Sequence, residues 1–164
     1  MLKSGGDGKN PEVSYLLGVS LARTGDPEGA REALKRTVVT GGTQRMTVAG
    51  KPLLLRGLAA ADLAFLLAEE GGSEEIVRLQ EALRDQRSTR LPVRDGEGVP
   101  RGENRLLVLL RLAEAQALAR EGRTEELKER LGALEMEKGP VPWKGQVVPL
   151  QDALRELPAQ PPVE

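Results

Sequence analysis

Ser, Thr, Lys, Asp, Glu and the backbone carry whatever chemistry this 164-residue chain can perform, because it contains no His and no Cys. A thiolate nucleophile, an imidazole base, a disulfide and a Cys/His zinc site are therefore excluded. Two carboxylates stand out, Asp62 and Glu114, each placed on a largely apolar helical stretch. Acids in such surroundings are the residue type that hydrolytic or metal-assisted chemistry uses. Exposure at the helix edge, or an ion pair to Arg56 or Arg111, is the simpler reading. The doublets Glu69-Glu70, Glu74-Glu75 and Glu125-Glu126 do not form catalytic pairs, since adjacent helical residues point about 100° apart. They fit solvated first-turn or last-turn charges. Gly50-Lys51 lacks a phosphate cradle: the upstream position is Arg45 instead of Gly, and Pro52 replaces the hydroxyl residue. Asp95-Gly96-Glu97-Gly98 has neither the carboxylate spacing nor the closing Glu of a calcium loop. The expectation is no catalytic residue, no metal and no cofactor.

One basic concentration runs through Arg84, Arg87, Arg90, Arg94, Arg101 and Arg105. It has no interleaved aromatic for base stacking and is diluted by Asp85, Asp95, Glu97 and Glu103, so an anion or acidic partner suits it better than nucleic acid. Charge agrees: 24 Lys plus Arg against 25 Asp plus Glu give a net −1. Aromatic residues are 2% of the chain, one Tyr, one Phe and one Trp. The core must therefore be built of Leu, Val and Ala, which suits helix-on-helix packing. Trp143, beside Lys144, is read as packing on the last helix or as an anchor offered to a partner. No apolar run reaches the roughly 18 residues a membrane span needs. The first residues, Met1 to Gly6, have no apolar segment behind them, unlike a signal peptide. A cytoplasmic location is expected, with the periplasm or export after signal removal as the alternative. Abundant Arg and Glu with 11 Pro and few Asn resemble a thermophile's usage, which GC-rich codons also produce.

The elements that would position these residues recur along the chain. Leu17–Glu28, Leu63–Glu74 and Glu114–Glu125 each read as an aliphatic helix closed by Gly25, Gly71 or Gly122 and followed at once by a new helix start. Glycine in that place fits a left-handed C-terminus, and Asp26, Ser73 and Thr124 are the expected N-caps. Between the pairs, Val48–Pro52, Val93–Pro100 and Trp143–Pro149 combine β-formers, a Gly turn and a Pro. These read as hairpins or bent loops whose proline stops strand pairing and opens the next helix. Helices are expected near 11–24, 27–39, 53–70, 74–87, 102–121, 124–136 and 150–157, the third and fifth most buried. The units are about 11–52, 53–100 and 101–149, with a terminal helix 150–157, in a single helical domain 11–157. A flexible segment 1–10 precedes it and a Pro-rich tail 158–164 follows. Asp7–Pro11 resembles the end of a further turn, as if the chain began inside a unit.

The first unit resembles the tetratricopeptide repeat through Leu17-Gly18-x-x-Leu21-x-x-x-Gly25-Asp26-x-x-x-Ala30-x-x-x-Leu34. The resemblance covers residues 12–39 and degenerates afterwards: Ile76 and Leu127 stand where Ala30 does, and the period is near 48 instead of 34. It implies a mainly α fold, a short right-handed α-α solenoid of about three helical hairpins with β-turn insertions between them. It makes Gly18 and Ala30 the close-contact pair. It further implies a non-catalytic scaffold that binds a protein or peptide on a concave face formed by the first helix of each pair. Aligned on the glycines, that face holds Tyr15, Ala61 and Leu112, then Val19, Phe65 and Gln116, then Arg23, Glu69 and Arg120. The plain alternative makes Tyr15 and Phe65 core residues. A regulatory or oligomerisation role, including a homo-oligomer, is the remaining alternative to partner binding, with an acid-dependent metal hydrolase behind both.

Overall fold

The computed structural model describes residues 10–48 and 50–157. Apart from Asn10, the segment expected to be flexible at 1–10 lies outside the described residues, as does the tail 158–164. The protein is mainly helical, with short antiparallel strand pairs, and divides into two compact units, Met1–Leu66 and Leu67–Glu164.

In the first unit, α1 (Pro11–Arg23) and α2 (Pro27–Thr40) fold back on one another through Gly25, whose φ of +87° only glycine adopts cheaply. Pro at the first position of each helix loses no hydrogen bond, because that N–H has no partner inside a helix. Asn10 caps α1 by accepting from Glu12 and Val13, and Asp26 caps α2 by accepting from Gly29. The pair closes tightly at Gly18: a Cβ there would lie 2.8 Å from two atoms of Leu34 and 3.4 Å from the Ala30 carbonyl. Tyr15, Ala30, Ala33, Leu34 and Val38 are buried in this unit. Next, β1 (Arg45–Val48) pairs with β2 (Lys51–Leu54), and the second strand runs straight into α3 (Leu55–Glu69), within which the boundary between the units falls. Arg56 holds the end of α2, its Nε donating to the Val38 carbonyl at 2.9 Å.

The second unit takes the end of α3 and then α4 (Ser73–Ala82), a 3-10 turn Arg84–Gln86, β3 (Arg90–Arg94), β4 (Pro100–Arg105), α5 (Leu106–Glu121), α6 (Thr124–Leu134), β5 (Pro140–Trp143), β6 (Gln146–Pro149) and α7 (Leu150–Glu156). Helices α4 and α6 both pack on α5, which is buried along most of its length. The two hairpins of this unit also touch: Gly96 N–H donates to the Gly145 carbonyl at 2.8 Å, and Asn104 donates to the Lys138 and Pro140 carbonyls. Trp143 is buried, with its strand packed on α7, and is part of the core.

The same junction occurs three times. Leu55, Leu106 and Leu150, the first residues of α3, α5 and α7, are buried and donate their N–H to the Gln44, Thr89 and Gly139 carbonyls. Each bond continues the preceding hairpin by one register step, so strand and helix share a residue.

Two local expectations are corrected. Pro52, Pro100 and Pro149 do not stop strand pairing; they are paired with Thr47, Arg94 and Pro140 inside the strands, and of the three Pro149 alone also stands at a helix start, as the N-cap of α7. A two-stranded ribbon has a free edge on both strands, where a missing N–H costs nothing. Strand β4 consequently extends to Arg105, and α5 begins later than expected, while α4 stops at Ala82. Among the caps, only Asp26 holds: Ser73 and Thr124 are first helical residues, preceded by Gly72 and Arg123 at the caps. The left-handed Gly71 and Gly122 (φ +75° and +74°) stand where expected.

Candidate interaction site

Short α4 and long α5 leave a cleft of about 530 Å³ in the second unit. Ile76, Leu79 and Leu83 turn one face of α4 inward, while Val77, 39% exposed, stays at the opening. From α5 come Leu107, Leu110 and Arg111; the turn after α4 brings Arg84 and Arg87. Two bonds hold the walls together. The Arg87 carbonyl accepts from Leu107 N–H at 3.0 Å, and Gln80 Nε2 donates to Glu114 Oε1 at 3.0 Å.

The basic concentration divides by its partners. Arg90 pairs with Glu103, Arg101 with Asp95, Arg105 with Glu137 and Arg84 with Glu81. Arg94 is also engaged. The Asp95 carboxyl, held below its usual pKa chiefly by the Val99 backbone N–H, folds its own loop and accepts from Glu97, Val99 and Arg101. Among the described residues, Arg87 and Arg111 have no ionic partner, and both line the cleft. Arg111 is the residue that sequence reasoning passed over. Its signal was a charge breaking the apolar run Leu106–Leu112, at a position where burial would be costly.

The carboxylate three residues after Arg111 is engaged elsewhere. Glu114, buried, receives Gln80 on one oxygen and Arg130 Nε, at 2.8 Å, on the other. The expected pairing to Arg111 is thus replaced by one from α6. That bond is the main cause that raises the Arg130 pKa. Asp62, in the first unit, accepts from the Tyr15 hydroxyl at 3.0 Å. Among the described residues, no three acidic side chains are grouped to hold a metal ion.

A second carboxylate joins the ends of three helices in this unit. Glu121, at the end of α5, accepts from the Ser73 N–H (2.9 Å) and hydroxyl (2.7 Å) at the start of α4. Arg123, before α6, donates to Glu121 and, with two nitrogens, to Glu126. Burial opposes the ionisation of Glu121, but the Ser73 N–H and hydroxyl and the Arg123 guanidinium outweigh it and lower its pKa. The cap missing from α4 is supplied by this residue, 48 positions downstream.

The residues expected on the concave face fall in different environments. In the first unit, Tyr15 is buried (1% exposed), Val19 and Phe65 are half-buried, and Arg23 is open to solvent. In the second, Glu69 is exposed, Leu112 is buried (0% exposed), and Gln116 and Arg120 are half-buried. On α5, Gln116 lies on the side opposite Leu107, about 180° around at 100° per residue. The cleft therefore opens on the other face of α5 from the Leu112–Gln116–Arg120 row. No family model, curated protein or solved structure matches this chain.

Proposed function

We propose that the protein is a non-catalytic interaction scaffold, a short right-handed solenoid of tetratricopeptide-like helical hairpins that binds a protein or peptide partner. The observation that carries the reading is the α4–α5 cleft, where exposed Val77 and half-buried Leu107 adjoin two guanidinium groups that have no ionic partner among the described residues. A volume of about 530 Å³ falls within the usual range for ligand sites. Support for serial stacking comes from the junction bond made alike at Leu55, Leu106 and Leu150, and from the close approach at Gly18. Val19, Arg23 and Phe65 in the first unit, and Glu69, Gln116 and Arg120 in the second, retain accessible surface, while Tyr15 and Leu112 serve as core. The test is selection of random 12-residue peptides against the purified chain, with the winners mapped by amide chemical shifts. Enriched peptides that shift α4 and α5 resonances support the reading. Failure to enrich, or shifts spread over both units, overturns it.

A second reading, self-association, has its own observation. Val13, Leu16 and Leu17 form an apolar stripe on α1, 43%, 48% and 46% exposed. Sedimentation at rising concentration decides it: a dimer that Leu16→Glu dissolves supports it, and a monomer at every concentration ends it.

A further inference from the structure

The cleft has a charge preference as well as a shape, and we infer that it takes an acidic peptide segment, whose carboxylates meet Arg87 and Arg111 while an apolar side chain rests on Val77 and Leu107. The inference rests on the scaffold reading and specifies the partner's chemistry. Guanidinium groups that pair with no acid among the described residues are prepared for an external anion, because their planar donor forks match carboxylate oxygens two at a time. Glu114, three residues from Arg111 on α5, is engaged by Gln80 and Arg130. Arg87 is held beside α5 through its own carbonyl, so its side chain need not be recruited from a distance. Val77 and Leu107, which line the cleft and keep apolar surface, favour a peptide over polyphosphate. No aromatic lines the cleft to stack a base.

Fluorescence anisotropy with three labelled 12-residue peptides tests this. One repeats Glu-Glu-Leu, one replaces every Glu with Gln, and one replaces every Glu with Lys. The acidic peptide is expected to bind at least ten-fold tighter than the Gln peptide, and to weaken as salt rises. Arg87→Gln with Arg111→Gln should remove most of that preference. Arg87→Glu with Arg111→Glu should reverse it, so that the Lys peptide binds best. Lys128→Glu, which changes the net charge as much as the Gln pair does but on an exposed part of α6, should leave the ranking intact. Thermal melts of each variant confirm folding, and the Gln pair serves if the Glu pair unfolds. Equal binding of the Glu and Gln peptides overturns the acidic preference while the selection experiment still stands for the scaffold. Loss of binding in Lys128→Glu equal to that in the cleft variants reduces the effect to net charge and also overturns it. Tighter binding of a labelled single-stranded oligonucleotide at the same arginines would replace the peptide with nucleic acid.

Discussion

Arg130 Nε lies 2.8 Å from Glu114 Oε2, a carboxylate whose side chain is 4% exposed, and this pair ties α6 to α5. Removing the cation leaves a buried charge with only Gln80 for company, which costs far more than an exposed ion pair is worth. Arg130→Ala is expected to lower the unfolding free energy by about 2–3 kcal/mol, below the fully buried case because Arg130 is partly exposed. Urea denaturation measures it. A loss under 0.5 kcal/mol would show that water reaches Glu114. The double variant Arg130→Met, Glu114→Leu should recover most of the loss, as an apolar replacement of both partners does.

The Glu121 cap titrates. Its folded-state pKa lies below the ordinary 4.5, so its contribution is complete above that value and is lost as pH falls through the folded pKa. Glu121→Gln should therefore destabilise by about 1 kcal/mol at neutral pH, a cap-sized loss reduced by solvent screening. Repeated near pH 3, the difference from the parent should shrink. A difference that is constant across the range would mean that the amide caps Ser73 as well as the carboxylate does.

Two glycines in helices should respond oppositely to the same change. Gly18→Ala places a methyl 2.8 Å from Leu34, a residue 1% exposed with nowhere to go. Gly132, in α6, meets nothing within 4 Å. Gly132→Ala is expected to stabilise by about 0.5–1 kcal/mol through helix propensity. Gly18→Ala should destabilise by about 2 kcal/mol despite the same propensity gain, because overpacking exceeds it. Calorimetry on the two variants decides the sign, and a stabilised Gly18→Ala would mean the helices can separate freely.

Tyr15 acts through its ring and its hydroxyl together. Tyr15→Phe loses the donor to Asp62 and should cost about 1 kcal/mol. Tyr15→Ala opens a cavity in the first unit and should cost about 3–5 kcal/mol, the scale for a buried aromatic. Chemical denaturation separates the two. Similar losses for both would place the energy in the hydroxyl instead of the packing. Any partner-capture experiment with Tyr15→Ala must therefore be read beside its melting curve.

Much of this architecture is written locally. The helix pairs, the left-handed Gly25, Gly71 and Gly122 between them and the three hairpins were legible because each depends on residues close along the chain: apolar periodicity, a backbone that needs φ above zero, β-formers around a turn. The cap at Asp26 is local too, reaching three residues ahead. The cap of α4 is not. Ser73 has its carboxylate supplied from position 121, and no neighbouring residue announces it.

Charge partnership was the larger decision left to the tertiary structure. Sequence proximity offered Glu114 to Arg111, three residues away, whereas packing of α6 on α5 gave it Arg130, sixteen away. That exchange leaves Arg111 facing the cleft. The remaining arginines of the basic run were sorted in the same manner, by which carboxylates the hairpins and turns brought within reach. The sequence by itself determined a helical chain with no imidazole or thiol, and set where its helices turn back. Which acids are satisfied, which guanidinium groups are left without a carboxylate among the described residues and which side of α5 opens were decided only when the helices packed, because each depends on a distance between residues far apart in the chain.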